Sequence, residues 1–91
     1  MAQNYIDIIL NTDIFEVREN IRNNIRENLA LRRKDANLTR EDIANMLLVA
    51  PQTIGSWEKG RSLPDIVSLY ALSKLYDISV DTFAEPYSPI S

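Results

Sequence analysis

The sequence predicts an all-α fold, and three observations carry that expectation. Apolar residues return every three or four positions in several separate stretches, the period that lines them up on one face of a helix. Residues that favour helix starts, Asp13, Thr39, Pro51 and Ser79, stand at the head of such stretches. No stretch reads as a strand with a convincing partner strand.

In chain order, Met1 to Leu10 gathers Tyr5, Ile6, Ile8, Ile9 and Leu10 without a clear period, which leaves helix, strand and arm open. Asp13, followed three residues later by Glu16, resembles a capping box. From there Ile14, Val17, Ile21, Ile25 and Leu29 form one stripe, and the pattern predicts a helix to about Ala36. Such a helix would be about 34 Å long, more than a domain of this size needs internally. Either it breaks between Asn20 and Asn24, or its first half projects and finds a partner. Asn37 suits the left-handed position after a helix, and Leu38 returns to the core.

Thr39 caps the next helix, with Glu41 and Asp42 in the first turn, where carboxylates are favoured, and Ile43, Ala44 and Leu47 on the buried face. After a tight turn, Ala50-Pro51 opens another helix, because proline's fixed φ and missing N–H suit the first helical position. Ile54 and Trp57 face inward three residues apart, and Gly60 ends this helix, predicted over 51–59. Arg61-Ser62-Leu63-Pro64 is a loop. Ile66, Leu69, Tyr70, Leu72 and Leu75 predict a helix from about Asp65 to Tyr76, buried on most sides. Asp77 can turn left-handed, Ser79 caps a final helical turn, and Phe83 packs inward. Pro86 and Pro89 among small polar residues predict a frayed tail.

Composition narrows the function classes. Ninety-one residues with 45% hydrophobic content support one domain, near the size at which a single core suffices without staples. With neither cysteine nor histidine, a disulfide framework, the commonest metal ligands and the usual proton shuttle are missing. No carboxylate spacing implies an acid/base pair and no glycine-rich phosphate loop is present, so no catalytic residue, cofactor or metal is expected. No apolar run is long enough to cross a bilayer, and the N-terminus lacks the plan of a secretory signal, so a cytoplasmic, non-membrane protein is expected. The net charge of −3 disfavours non-specific binding to polyanions. Its distribution matters more: residues 1–23 carry two arginines against four acids, while Arg32, Arg33, Lys34, Arg40, Lys59 and Arg61 gather around the Thr39 to Gly60 stretch.

Residues 25–84 resemble the lambda-repressor-like helix-turn-helix domain of the Xre (Cro-like) family. The matching elements are Ile25, Leu29 and Arg33, then Leu38-Thr39, Ile43-Ala44 with Leu47, and Gln52-Thr53-Ile54. Trp57-Glu58-Lys59-Gly60-Arg61, Leu63-Pro64-Asp65 and Ile78-Ser79-Val80-Asp81 complete the match in the family's order. The resemblance implies a five-helix bundle over 24–84 whose second and third helices bind double-stranded DNA, the third in the major groove. Residues 1–23 are then an N-terminal helical extension for oligomerisation or partner contact, and 85–91 a flexible tail.

On that resemblance, the exposed face of the third helix carries Pro51, Gln52, Thr53 and Ser56. Gln52 can pair with adenine and Thr53 can touch a thymine methyl, with Ser56 a weaker base reader. Trp57 reads as core and not as a stacking platform. Thr39 and Arg40 at the start of the second helix, with Lys59 and Arg61 after the third, are the candidate phosphate contacts. The resemblance also assigns Arg33 and Glu58 to a structural ion pair. Three residues depart from the family pattern: Leu48 stands where glycine is common, Arg40 replaces a glutamine, and Ala50-Pro51 replaces a capping hydroxyl and a polar residue.

Two functions are expected from these features. One is a sequence-specific transcriptional regulator, a repressor of phage or mobile-element type, binding a palindromic operator as a homodimer. The other is a protein-interaction module such as an antitoxin holding a partner toxin. Tyr5 to Leu10, Ile14, Phe15 and Val17 in the leader compete with Val80 and Phe83 as the dimer contact.

Overall fold

The computed structural model describes residues 13–89, so the Met1 to Leu10 cluster and Thr12 lie outside the described residues. Four α-helices and a 3-10 helix follow in order: α1 (Ile14–Asp35), α2 (Arg40–Leu47), α3 (Pro51–Glu58), α4 (Ile66–Tyr76) and η1 (Val80–Ala84). These are the five helical segments expected, the last wound as 3-10. Lys59 caps α3 instead of extending it.

Local chemistry sets the starts. Asp13 accepts a hydrogen bond from the Glu16 N–H, Asp65 accepts one from the Ser68 N–H, and Thr39 and Asp42 form a reciprocal capping box. Ser79 occupies the N-cap of η1, but its hydroxyl makes no capping bond; it pairs with the Thr82 hydroxyl at 3.1 Å.

The four α-helices end alike. Asn37, Leu48, Gly60 and Asp77 each take a positive φ. The next residue's N–H then reaches back five positions: Leu38 to Arg33, Val49 to Ala44, Arg61 to Ser56 and Ile78 to Ser73, all at 3.0–3.1 Å. Leu38, Val49 and Ile78 pack against the core from this position, as the closure favours. Arg61 is the exception, and it stays exposed.

Leu29, Ile43, Ala44, Ile54, Trp57, Leu72 and Phe83 form the core. Helices as short as α2 and α3, eight residues each, are marginal alone. Burial of a large apolar side chain stabilises by about 1.5–3 kcal/mol, and this packing is what holds them. Ala44, fully buried, keeps α2 close to α3.

Two expectations about burial need correction. α4 is not buried on most sides: Leu69, Leu72 and Tyr76 face the core, while Ile66, Val67 and Tyr70 are exposed and Leu75 is largely so. Among the described residues, only one side of α4 meets other elements, and apolar residues alone do not create a neighbour for the other. Phe83 is 1% exposed inside its own core, so it is not available to a second copy.

α1 runs unbroken through Asn20 to Asn24 for 22 residues. Its first half projects, leaving Ile14, Phe15, Val17 and Ile21 exposed. Two asparagines fasten the second half to the end of η1. Asn24 donates to the Ala84 carbonyl at 2.9 Å. Asn28, fully buried, donates to the Asn24 and Glu85 carbonyls and accepts from Arg32 Nε at 2.9 Å. Residues 85–89 of the expected tail lie against α1, where the Arg32 guanidinium stacks 5.2 Å from the centre of the Tyr87 ring and the Tyr87 hydroxyl donates to Asp35. Among the described residues, no helix is long and apolar enough to cross a membrane.

Candidate nucleic-acid interface

α2, α3 and the loop that follows α3 present one concave surface, lined by Arg40, Pro51, Gln52, Gly55, Ser56, Lys59 and Arg61. Six of the eight residues predicted to touch DNA therefore share one groove; Thr39 and Thr53 lie outside its lining. Pro51 and Gln52 are exposed at the start of α3, while Thr53 and Ser56 are half-buried.

The groove's shape follows from how α3 is seated. Ile54 and Trp57 fix one face of α3 in the core, which leaves its N-terminal turn outward. Pro51 occupies the first position and Ala50, the N-cap, offers no side-chain bond. The end of α3 is turned by Gly60 at φ 75°, and the closure there places Arg61 instead of an apolar residue on the surface. The Ser56 and Ser62 hydroxyls, 2.8 Å apart, tie this loop back to α3.

Thr39 is exposed, but its capping box already uses two of the free donors at the start of α2. Its own N–H bonds Asp42 at 2.8 Å, and the Asp42 N–H bonds the Thr39 hydroxyl oxygen at 3.0 Å. Backbone hydrogen bonding from Thr39 holds the Asp42 carboxyl below its usual range. The Thr39 hydroxyl proton, the Arg40 side chain and the next N–H groups remain for an anion.

Beneath the groove lies a three-member charge network. Arg33 Nε is 2.7 Å from Glu58 Oε2 and Arg33 Nη2 is 3.0 Å from Oε1, a bidentate fork, while Arg33 Nη1 also donates to the Leu38 carbonyl. Arg40 Nε adds a third bond to Glu58 Oε1 at 3.0 Å. The Glu58 side chain is only 2% exposed and Arg40 is 43% exposed. Burial alone would favour the protonated acid, but the bonds from Arg33 and then Arg40 outweigh it and hold Glu58 below the usual glutamate range. Bonding to Glu58 raises Arg33 in turn. Burial, with the Glu58 charge nearby, pushes the Tyr76 phenol up to about 12. Among the described residues, no buried side-chain nitrogen or oxygen lacks a partner.

The predicted pair Arg33 and Glu58 is thus brought together, and Arg40, predicted only at the DNA surface, is joined to it. Gly55 and Ser62 were missed. A glycine in mid-helix was a visible signal at position 55, since it weakens a helix without a reason in the local pattern. Ser62 had no comparable signal, because its partner is six residues away on another element.

A family model described as helix-turn-helix matches residues 29–83. Among characterised proteins, the HTH-type transcriptional activator BcrR of Enterococcus faecalis is 36% identical over 55 residues, covering 60% of this chain. The aligned stretch spans 27% of that relative's length. No solved structure matches the chain.

Proposed function

The chain belongs to the helix-turn-helix family, and from that premise we propose that it is a sequence-specific DNA-binding transcriptional regulator that reads the major groove with α3. The observation that carries this reading is the convergence of Arg40, Pro51, Gln52, Ser56, Lys59 and Arg61 on one groove beside the exposed start of α3. Gln52 and Thr53 read bases, with Pro51 and Ser56 at the edge of the contact. Arg40, Lys59, Arg61 and the Thr39 hydroxyl hold phosphates. One such helix reads too few base pairs for a unique address, so two copies act on half-sites about 34 Å apart. Occupying a promoter in this way blocks it without further machinery, so repression is the expected mode.

The test is recovery of genomic DNA with the tagged chain, followed by binding to the recovered fragment over a range of salt. Three cations per copy give a slope of log affinity against log salt of about −2.7 per bound copy, and Gln52→Ala changes the sequence preference. No binding to any genomic fragment at low salt would refute the proposal. The reading then favoured is a protein-interaction module of antitoxin type, which the net charge of −3 and the exposed Ile14, Phe15 and Val17 support.

A further inference from the structure

Gly55 sits in the middle of α3, the one of the four described α-helices whose N-cap residue makes no side-chain capping bond. Glycine is the least favourable helix residue after proline, and here it is buried, so neither flexibility nor exposure accounts for it. What covers it is Arg40. An added Cβ at position 55 would lie 3.7 Å from Arg40 Nη1 and meet no other atom as close. The arginine side chain therefore crosses from α2 over the bare backbone of α3 to reach Glu58, with Nε held at 3.0 Å and the guanidinium still facing the groove.

We infer that position 55 is a positioning element for phosphate binding: because no side chain extends beyond Cβ there, the space over α3 is left for Arg40 to be laid between Glu58 and the DNA. This rests on the DNA-binding reading above. Glu58 has one negative charge and two arginines on it. Arg33 satisfies it from the buried side, so Arg40 delivers its positive charge to the groove while one of its bonds stays fixed to the protein. A guanidinium held in this way loses less freedom when a phosphate arrives than a free surface arginine does. A methyl group at 55 makes only ordinary contact with Arg40. A side chain extending beyond Cβ competes with the guanidinium for the same space and displaces it from Glu58.

The experiment compares wild type, Gly55→Ala, Gly55→Gln, Arg40→Ala and the Gly55→Gln/Arg40→Ala double variant. Each is melted, then titrated onto a labelled random-sequence DNA duplex across salt concentrations, and the Arg40 Nε–H resonance is followed without DNA. Gly55→Ala melts at or above wild type and keeps the salt slope. Gly55→Gln also stays folded, but loses about 0.9 from the slope, as Arg40→Ala does, and the double variant loses no more than either single one. In Gly55→Gln the Arg40 Nε–H loses the shift and exchange protection of a carboxylate-bound proton. A wild-type slope in Gly55→Gln, additive losses in the double variant, or an unchanged Arg40 resonance would each overturn the inference. If wild type binds no duplex while the resonance behaves as stated, the DNA reading fails and the placement of Arg40 by Gly55 stands.

Discussion

Leu48 carries a conflict between residue and backbone. Its φ of 60° and ψ of 42° are the left-handed values, in which a leucine is strained by about 1–2 kcal/mol. Its side chain is 91% exposed, so burial returns almost nothing. Leu48→Gly should therefore stabilise the chain. Glycine's larger unfolded-state entropy removes part of the gain, leaving about 0.5–1 kcal/mol, or a few degrees of Tm. A thermal melt with unchanged or lower Tm would refute the strain argument. At the same scale, base readers and phosphate holders separate by what their loss does. Gln52→Ala should cost about 1–3 kcal/mol at one operator position and relax preference there. Arg61→Ala should weaken binding to all sequences alike and lower the salt slope by about 0.9. Titrations against a set of single-base operator variants distinguish the two, and the reverse pattern would overturn the assignment of roles.

For the elements, Glu58 is the residue on which the placement of α3 depends. Three hydrogen bonds from two arginines converge on a carboxylate that is almost fully buried. Glu58→Ala leaves the Arg33 guanidinium half-satisfied in the interior, and the expected loss is about 3–5 kcal/mol. A melt with the wild-type midpoint would contradict that. The pH dependence has a definite sign. Glu58 titrates lower in the folded chain than in the unfolded one, so the unfolded chain binds the extra proton first as acid is added. The stabilisation is complete above the ordinary glutamate range and is lost as pH falls through the lowered folded value. Denaturant midpoints measured from neutral pH downward should fall more steeply in wild type than in Glu58→Ala. These contacts also mark how far the sequence was legible. The caps at Asp13 and Thr39 and the turns at Asn37, Gly60 and Asp77 involve residues within a few positions of each other, so local pattern revealed them. Arg33 with Glu58 was visible only through a family resemblance. Arg40 with Glu58, Asn28 with Glu85 and Ser56 with Ser62 depend on which elements fold together. The outward face of α4 was misread for the same reason, since Ile66 and Tyr70 have the helical period but, among the described residues, no other element packs on their side.

For the whole molecule, the described fold is a bundle with one helix too long for it. α1 becomes attached to the bundle only from Asn24 and Ile25 onward; before that, Ile14, Phe15, Val17 and Ile21 are exposed, with Phe15 at 74%. Ile14, Val17 and Ile21 are spaced three and four apart, the seam of a short helix pair, and Asp13, Glu16 and Glu19 alternate with Arg18 and Arg22 beside it. The proposed reading needs a second copy to address a palindrome. Of the competing contacts, Phe83 is closed off in the core and Val80 is half-buried, so the more exposed projecting half of α1 is where the two copies are expected to meet. The double variant Phe15→Asp/Val17→Asp tests it. Both side chains are exposed in the single chain, so the Tm measured at high dilution should move by no more than about 0.5 kcal/mol of stability. The mass measured by light scattering should drop from two copies to one. Binding to the full operator should weaken to that of a single half-site, whereas binding to an isolated half-site should be unchanged. If the variant still scatters as a dimer and holds the full operator as wild type does, the copies meet elsewhere, and the exposed Ile66, Val67 and Tyr70 of α4 become the surface to substitute next.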